Sequence, residues 1–565
     1  MTLMENGRGG LARERAGVWQ AAACFDENTR LEAARIAASE EELLACFGSE
    51  LSFGTGGLRG AIGVGTNRMN VYTVAKAAWG LAGYIKAVGG GSAAIAYDSR
   101  HKSLEFAGVT AGVLACHGIH AWLYDRLMPT PMLSFAVREL RCGAGVMITA
   151  SHNPARDNGF KVYGADGCQI TDEAAAAITG WIEKAEYTAL EWLSAQEAES
   201  RGLLHTIPRS VYDDFVERTL ACRVRRPALT NKLRLVYTPL HGTGLQPVHD
   251  VLGRMPGIDV EFVAEQCAPD GRFPTCPIPN PERKETLAPA IDFARQKGAD
   301  LLIATDPDCD RVGVAVRLRD GEYRILSGNE VGLLLLEYIL SHKKLRGGRA
   351  PVVIKTIVTS DLAFAIARAY GARVVEVLTG FKYIGEVIGR MEAAGEKDDF
   401  VFGFEESCGY LAGTHVRDKV GVMACMLVAE MAQSFAARGI TLDAAIQALY
   451  HASGYMGTRL LNFTVEDALP MEAMKGMTGK LRANPPARLG SRPVAAVKDY
   501  LAGMDGLPAS DILSFENQDG GKAIVRPSGT EPKVKVYLSA KGANERDVQA
   551  ELGQMKTQVE GWLVF

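Results

Sequence analysis

Residues 299–311 read ADLLIATDPDCDR: an apolar run, then a turn carrying carboxylates at Asp306, Asp308 and Asp310. A short uninterrupted apolar run bounded by a turn is the pattern of a strand buried on both faces. The same unit recurs outward along the chain. Ala93–Tyr97 runs into Asp98-Ser-Arg100, Gly145–Thr149 into Ala150-Ser-His-Asn-Pro154, and Leu233–Tyr237 into Thr238-Pro-Leu-His-Gly242. Val352–Val358 leads to Thr359-Ser-Asp361, and Arg373–Leu378 to Thr379-Gly380. Strands alternating with helical patterns predict α/β domains built on parallel sheets. The polar turns follow strands, where open α/β sheets place their ligand sites.

At 565 residues the length alone anticipates about three to five domains. Similar blocks near residues 93, 233 and 352 predict three related α/β domains. We expect an N-terminal extension over 1–40, helical or partly mobile, then domain I over 41–205, domain II over 206–325 and domain III over 326–454. A smaller α+β domain IV follows over 455–565, with helix Val465–Arg482, a proline-containing connector, strands Lys522–Arg526 and Lys533–Ser539, and helix Glu545–Leu563.

Composition excludes several function classes. With 47% hydrophobic and 23% charged residues the chain is not wholly disordered. A net charge of −4 gives no bulk positive field for nucleic acid or an anionic membrane. No apolar run nears the ~18 residues of a membrane span, and MTLMENGRGGLARERAG has no apolar signal core. Eleven cysteines without a C-x-x-C pair fit reduced thiols in a soluble cytoplasmic protein.

Three carboxylates at alternate positions after an apolar strand suit a hard divalent cation such as Mg²⁺ or Ca²⁺. An EF-hand loop from Asp306 would need Gly and Glu where Arg311 and Arg317 stand. A solvated acidic turn is the competing reading, but charges this close repel unless neutralised. Thr149-Ala-Ser-His-Asn-Pro154 offers a hydroxyl, an imidazole and an amide. It lacks G-x-S-x-G, and in extended backbone Ser151 and His152 would point opposite ways, so a hydrolase dyad is not expected. Arg526-Pro-Ser-Gly-Thr-Glu-Pro-Lys533 gathers a guanidinium, hydroxyls, a glycine and an ammonium, an anion cradle without the Walker A pattern. Phe404-Glu-Glu-Ser-Cys-Gly409 offers carboxylates and a hydroxyl to a polyol. Gly54-Thr-Gly-Gly-Leu-Arg-Gly60 is glycine-rich but is no G-x-G-x-x-G nucleotide fingerprint.

Taken in order over residues 54–533, these motifs resemble the α-D-phosphohexomutase superfamily. Its members carry a TASHNP-type serine loop, a D-x-D-x-D-R metal loop, a G-E-x-S-type sugar loop and an R-P-S-G-T-E phosphate loop. The resemblance implies a heart-shaped architecture: three related α/β domains with mixed, mostly parallel sheets, plus a smaller α+β C-terminal domain. With Thr238-Pro-Leu-His-Gly-Thr243 and this length, the chain looks most like the bacterial α-phosphoglucomutase branch, which also takes in animal phosphopentomutases.

By that likeness Ser151 is the phosphoserine, and Asp306, Asp308 and Asp310 hold Mg²⁺ together with an oxygen of the serine phosphate. Arg59, Lys161 and Arg311 face the transferring phosphoryl group, Lys161 as candidate general acid/base, and His152 is a further catalytic candidate beside the serine. Glu405 and Ser407 bind the sugar O3 and O4, with Thr379 and Gly380 adding a contact. Arg526, Ser528, Gly529, Thr530 and Lys533 hold the non-reacting phosphate. Lys419 is a substrate-binding candidate, although Val420 beside it stands where the family commonly has an acidic residue. Cys309 replaces the usual small residue between the second and third aspartates. His415 belongs either against substrate or in solvent.

The activity so implied interconverts glucose 1-phosphate and glucose 6-phosphate through glucose 1,6-bisphosphate, with Mg²⁺ as cofactor, sugar phosphates as partners, and a monomer or homodimer as the working form. A phosphopentomutase or a broad phosphomannomutase/phosphoglucomutase is the alternative, since glucose and mannose share O3 and O4. A catalytically dead sugar-phosphate sensor would have no need of Ser151 and all three aspartates, and a metal-dependent phosphatase would release inorganic phosphate.

Overall fold

The computed structural model describes residues 3–54, 56–224, 232–342, 349–465, 470–528 and 533–563. The chain divides into two compact units. One comprises Met1–Leu326, Gly385–Lys397 and Gly409–Ala437; the other comprises Ser327–Ile384, Asp398–Cys408 and Arg438–Phe565. No described helix is long and apolar enough to cross a membrane.

The first unit opens with helices α1 (Leu3–Ala21), α2 (Glu27–Ala37) and α3 (Glu40–Phe47). Asp26 and Ser39 cap α2 and α3 by accepting from the amides of Thr29 and Glu42. Trp19 stacks on Phe25 at 4.6 Å and meets Phe47, Tyr72 and Tyr187 edge-on at 5.4–5.6 Å. The stretch read as a helical or partly mobile extension is thus helical, and it shares one apolar core with Leu43, Phe47 and Tyr72 beyond residue 40. Trp19→Ala should cost this cap about 3–5 kcal/mol, the usual price of emptying a large core site. Limited proteolysis should then cut within residues 9–47 at protease levels that spare the native chain; equal resistance would show that the ring cluster does not hold the cap.

The first sheet contains β1 (Leu58–Ala61), β2 (Ser92–Tyr97), β3 (His120–Leu123), β4 (Ala144–Ile148), β5 (Asp157–Gly164) and β6 (Leu204–Thr206), in the order β1-β5-β4-β2-β3-β6. The second contains β7 (Leu233–Thr238), β8 (Ile258–Phe262), β9 (Leu301–Thr305), β10 (Val312–Arg317) and β11 (Tyr323–Leu326), in the order β11-β10-β9-β7-β8. Every residue of β4 and β9 is buried, as their uninterrupted apolar runs require. Both sheets are parallel in the middle, across β4-β2-β3-β6 and β9-β7-β8. Both are antiparallel at one side, where β5 returns along β4 and β10 returns along β9. Those two returns matter. Each brings the chain straight back from a polar turn, and so sets Lys161 on β5 and Arg311 ahead of β10.

In the second unit β12 (Val352–Thr356) pairs in parallel with β13 (Arg373–Val377) and β14 (Phe400–Glu405). A further sheet is wholly antiparallel. Its strands Tyr455–Thr464, Lys533–Gly542, Lys522–Pro527, Leu513–Asn517, Arg492–Asp499 and Arg488–Leu489 lie side by side in that order. The sequence showed two of them. Tyr455–Thr464 and Arg492–Asp499 escaped because they are only half-buried and, with Leu460 and Val497 among their exposed positions, no clean apolar–polar alternation marks them. Helix Pro470–Ala483 overlaps the expected Val465–Arg482 and ends one residue past it, residues 466–469 lying outside the described ones, and the last helix is Glu545–Trp562.

Candidate active site

At the end of β4 the chain leaves the sheet as Thr149–Pro154. Ser151 takes φ +51°, in the left-handed region that residues with side chains seldom occupy. Its Oγ lies 2.8 Å from Asp306 Oδ2 and 3.1 Å from His152 Nδ1. The expectation that Ser151 and His152 point opposite ways is overturned: it assumed extended backbone, and this loop is not extended. Burial, then the charges of Arg311 and Arg59, push His152 well below the usual imidazole range, so its ring is neutral near pH 7.

The loop after β9 closes on itself. Asp306 Oδ1 accepts the amides of Asp310 and Arg311, both at 3.1 Å, and Cys309 takes φ +50°. One oxygen from each of Asp306, Asp308 and Asp310 lies within 4.8 Å of the others, and all three residues are buried. Neighbouring loops brace the turn. Thr243 donates its N–H and its hydroxyl to Pro307 O at 2.8 and 2.9 Å. Beside it a Cβ on Gly242 would fall 2.4 Å from Pro307 Cα, so this close approach requires glycine. Thr130 donates its N–H to Asp308 O at 2.9 Å and its hydroxyl to Asp308 Oδ2 at 2.8 Å.

Cations surround the triad. Lys161 Nζ is 2.8 Å from Asp308 Oδ2 and 3.9 Å from Asp310 Oδ2. Lys419 Nζ is 3.2 Å from Asp310 Oδ2 and 3.1 Å from Asp418 Oδ1. Arg311 Nε is 3.8 Å from Asp310 Oδ1 and 4.0 Å from Asp306 Oδ2. Arg59 reaches the serine loop, its Nη1 donating to Asn153 Oδ1 at 3.4 Å. Burial, then the charges of Asp308 and Asp310, drive Asp306 well above the usual carboxylate range. Asp310 is raised by burial and by Asp308, against the pull of Lys419 and Lys161. Burial acts the same way on Asp308, but the Lys161 ammonium overrides it and holds this carboxyl below its usual value.

The residues present fit a hard divalent cation. All the side-chain donors are carboxylate oxygens, and Asp308 Oδ1 and Asp310 Oδ1 are buried with no hydrogen-bond partner among the described residues. Unpartnered buried carboxylate oxygen is costly, and a bound cation would remove that cost.

The second unit carries the other candidates. Glu405 ends β14 and is buried, with Ser407 half-buried two residues on. Thr379 Oγ1, just after β13, is buried and has no hydrogen-bond partner among the described residues, and Gly380 takes φ +126°. Arg526 lies near the end of its strand, and Ser528 donates its N–H to Lys533 O at 2.8 Å. Gly529 and Thr530 lie outside the described residues. Two further residues here had no role of their own in the sequence, although Glu406 stands in the Phe404–Gly409 stretch. Glu406 Oε2 accepts from the hydroxyls of Thr356 and Thr359, each at 3.3 Å. Tyr537 has its phenol pushed up by burial and by the Glu406 charge, against the pull of Arg526.

Other residues of the first unit were also missed. Thr130 gave no signal, since it meets Asp308 from 178 positions away. Tyr163, whose hydroxyl donates to Asp418 Oδ2 at 2.7 Å beside Lys419, read simply as part of a strand. Asp98 and Arg100 did give one: two opposite charges directly after the buried run of β2. His415 is half-buried on its loop. Its ring packs between Phe135 and Phe215, and burial, then the charges of Arg218, Arg417 and Arg138, lower its pKa to about 4.

Four families match the chain in sequence order. They are phosphoglucomutase/phosphomannomutase alpha/beta/alpha domain I over residues 50–189, domain II over 212–319, domain III over 327–452 and the C-terminal domain over 460–552. The phosphoglucomutase of Staphylococcus aureus strain USA300 is 36% identical over 520 residues, covering 90% of this chain and 93% of its own. That of Staphylococcus epidermidis is 35% identical over 513 residues, covering 89% and 92%. In fold, the chain is similar to a putative phosphomannomutase from Thermus thermophilus, with TM-score 0.68, 23% identity and coverage of 91% and 100%. It is similar also to the open form of parafusin, a phosphoglucomutase from Paramecium, with TM-score 0.67, 16% identity and coverage of 91% and 95%. Four domain matches in order and a third of all residues shared with full-length relatives decide the assignment: the chain belongs to the phosphoglucomutase/phosphomannomutase family and is an enzyme of its mutase type.

Proposed function

We propose that the protein interconverts glucose 1-phosphate and glucose 6-phosphate through a phosphoserine at Ser151 and a glucose 1,6-bisphosphate intermediate. One observation carries the reading: Ser151 Oγ lies 2.8 Å from Asp306 in a buried carboxylate triad, in a chain whose relatives at 36% identity are named phosphoglucomutase. The two phosphate positions are at distant ends of the sugar, so direct transfer is sterically remote. The enzyme instead lends its own phosphoryl group to the free hydroxyl, and the bisphosphate turns end for end. Ser151 then takes back the other phosphoryl group.

In this reading domain I (41–205) carries the serine loop and domain II (206–325) the metal loop, while domain III (326–454) carries the sugar loop and domain IV (455–565) the phosphate loop. Asp306, Asp308 and Asp310 would hold Mg²⁺, which when bound offsets charge on the serine phosphate. Arg59 and Arg311 neutralise the phosphoryl oxygens as charge spreads over them. Lys161 moves the proton of the reacting hydroxyl, with neutral His152 beside the serine oxygen. Glu405, Ser407, Thr379 and Gly380 hold the sugar, and Lys419 contacts the substrate. Arg526, Ser528, Gly529, Thr530 and Lys533 hold whichever phosphate is not reacting.

Parallel assays with glucose 1-phosphate, mannose 1-phosphate and ribose 1-phosphate test the assignment. Glucose 1-phosphate should give the highest kcat/KM; a lead for ribose would make the protein a phosphopentomutase instead. Arg526→Ala should weaken use of glucose 1-phosphate and glucose 6-phosphate alike. One charge-assisted contact is worth about 1.5–3 kcal/mol, or roughly ten- to a hundred-fold in kcat/KM. A loss confined to one substrate would contradict an exchangeable phosphate site.

A further inference from the structure

Asp98 and Arg100 stand in the turn after β2, and their side chains are fully buried. They form an ion pair, Arg100 Nε to Asp98 Oδ2 at 3.4 Å, but most of their bonding goes to the serine loop. Arg100 Nη2 donates to Ser151 O at 2.6 Å and Asn153 O at 2.5 Å. Its Nη1 donates to Pro154 O at 2.9 Å and Asp157 O at 3.0 Å. From the other side Asp98 Oδ2 accepts the Thr149 hydroxyl at 2.6 Å, and that hydroxyl accepts the Ser151 N–H at 2.8 Å. Asp98 Oδ1 takes the Ser103 hydroxyl at 2.8 Å and the Arg100 amide at 3.0 Å, which fixes the carboxylate. The Phe273 ring, 4.9 Å from the guanidinium carbon, packs over the arginine.

Both backbone groups of Ser151 are therefore held by one turn. Its C=O is gripped directly by Arg100, and its N–H is gripped by Asp98 through Thr149. Ser151 is also the loop residue with φ +51°, a conformation that persists in a residue with a side chain only where its surroundings impose it. We propose that Asp98 and Arg100 are positioning residues. They clamp Ser151 in the left-handed conformation that aims Oγ at Asp306, and they touch neither phosphate nor sugar. A planar fork is what the task requires, because four carbonyls are met by two guanidinium nitrogens; a lysine ammonium has three donors and no fixed plane. The inference rests on Ser151 being the phosphate carrier, but the clamp itself can be tested without activity.

Two variants, Arg100→Lys and Thr149→Val, should be compared with the native chain by amide hydrogen exchange and by kinetics. The first loses the fork; the second cuts the link from Asp98 to the Ser151 amide and leaves Arg100 in place. Exchange should rise about tenfold or more over residues 149–157 and stay unchanged over 306–311 and the rest of the unit. Turnover should fall about 100-fold, the effect of misplacing a reacting atom by ~1 Å, with KM changing less than about threefold. Transfer from glucose 1,6-bisphosphate to Ser151 should slow by the same factor. Unchanged exchange over 149–157 in both variants overturns the clamp, whatever the activity. Faster exchange throughout the unit in both also overturns it, since the pair then supports the domain and not the loop. If only Arg100→Lys loosens globally, Thr149→Val decides. Loop-confined exchange together with a native chain silent on every sugar phosphate would keep the clamp and reject the proposed reaction.

Discussion

Ser151→Ala is expected to abolish mutase turnover, by at least about 10⁴-fold, on the scale seen when a catalytic nucleophile is removed. The reason lies in what water cannot do. A hydroxyl on the enzyme stores a phosphoryl group and returns it to the other end of the sugar, whereas water would release it as inorganic phosphate. Three further results follow from the same chemistry. Dephosphorylated native enzyme should be nearly silent with monophosphate alone and should recover with traces of glucose 1,6-bisphosphate. Intact-mass spectrometry should then find one added phosphoryl group on the native chain and none on the variant. The variant should still bind sugar phosphate, because Arg526 and its loop are untouched. The fold should survive, since among the described residues Ser151 Oγ bonds only Asp306 and His152 and an alanine fits the same space. Wild-type turnover by Ser151→Ala would end the phosphoserine reading, whatever the family.

How much of this could be read from the sequence depends on where each signal resides. Apolar runs announce themselves, so β2, β4, β7, β9, β12 and β13 all fall on runs visible in the chain, and all of these strands but β13 are largely buried. The metal and serine loops were legible for the same reason, as polar turns directly after such runs. Strands with one wet face, Tyr455–Thr464 and Arg492–Asp499, did not stand out; the two-residue Arg488–Leu489 is too short to show, and Leu513–Asn517 was lost among connector residues although it is largely buried. Tertiary contact was the other blind spot. Nothing local in Thr130 or Tyr163 points to Asp308 or Asp418, and nothing local in Ser151 forces φ +51°. That angle decided the relation of Ser151 to His152. The sequence reading assumed the commonest backbone for such a segment; the loop takes another because Arg100 and Thr149 hold both ends of the peptide.

Asp308→Asn should bring the second large loss, about 10³-fold or more in turnover, while the chain stays folded. Two electrostatic effects oppose each other in the stability of this variant. Asp308 neutralises buried Lys161 at 2.8 Å, and removing that charge leaves Lys161 with Asp310 at 3.9 Å. The same change also relieves the repulsion that Asp308 exerts on Asp306 and Asp310, both of which it pushes upward. An asparagine can still accept the Thr130 hydroxyl through its amide oxygen. Penalty and relief are of similar kind and range, so the net change in stability should stay within about 2 kcal/mol. No such compensation exists for a bound cation, which loses one of three carboxylate ligands outright. Chelation of the native enzyme should therefore mimic the variant, and added Mg²⁺ should restore the chelated enzyme but not Asp308→Asn. Thermal melts with elemental analysis separate the two effects: the variant should melt near the native temperature and retain far less metal. Full activity of the native chain in excess chelator, with no residual metal detected, would exclude a catalytic ion from the triad, and Asp308 would then act through Lys161 alone.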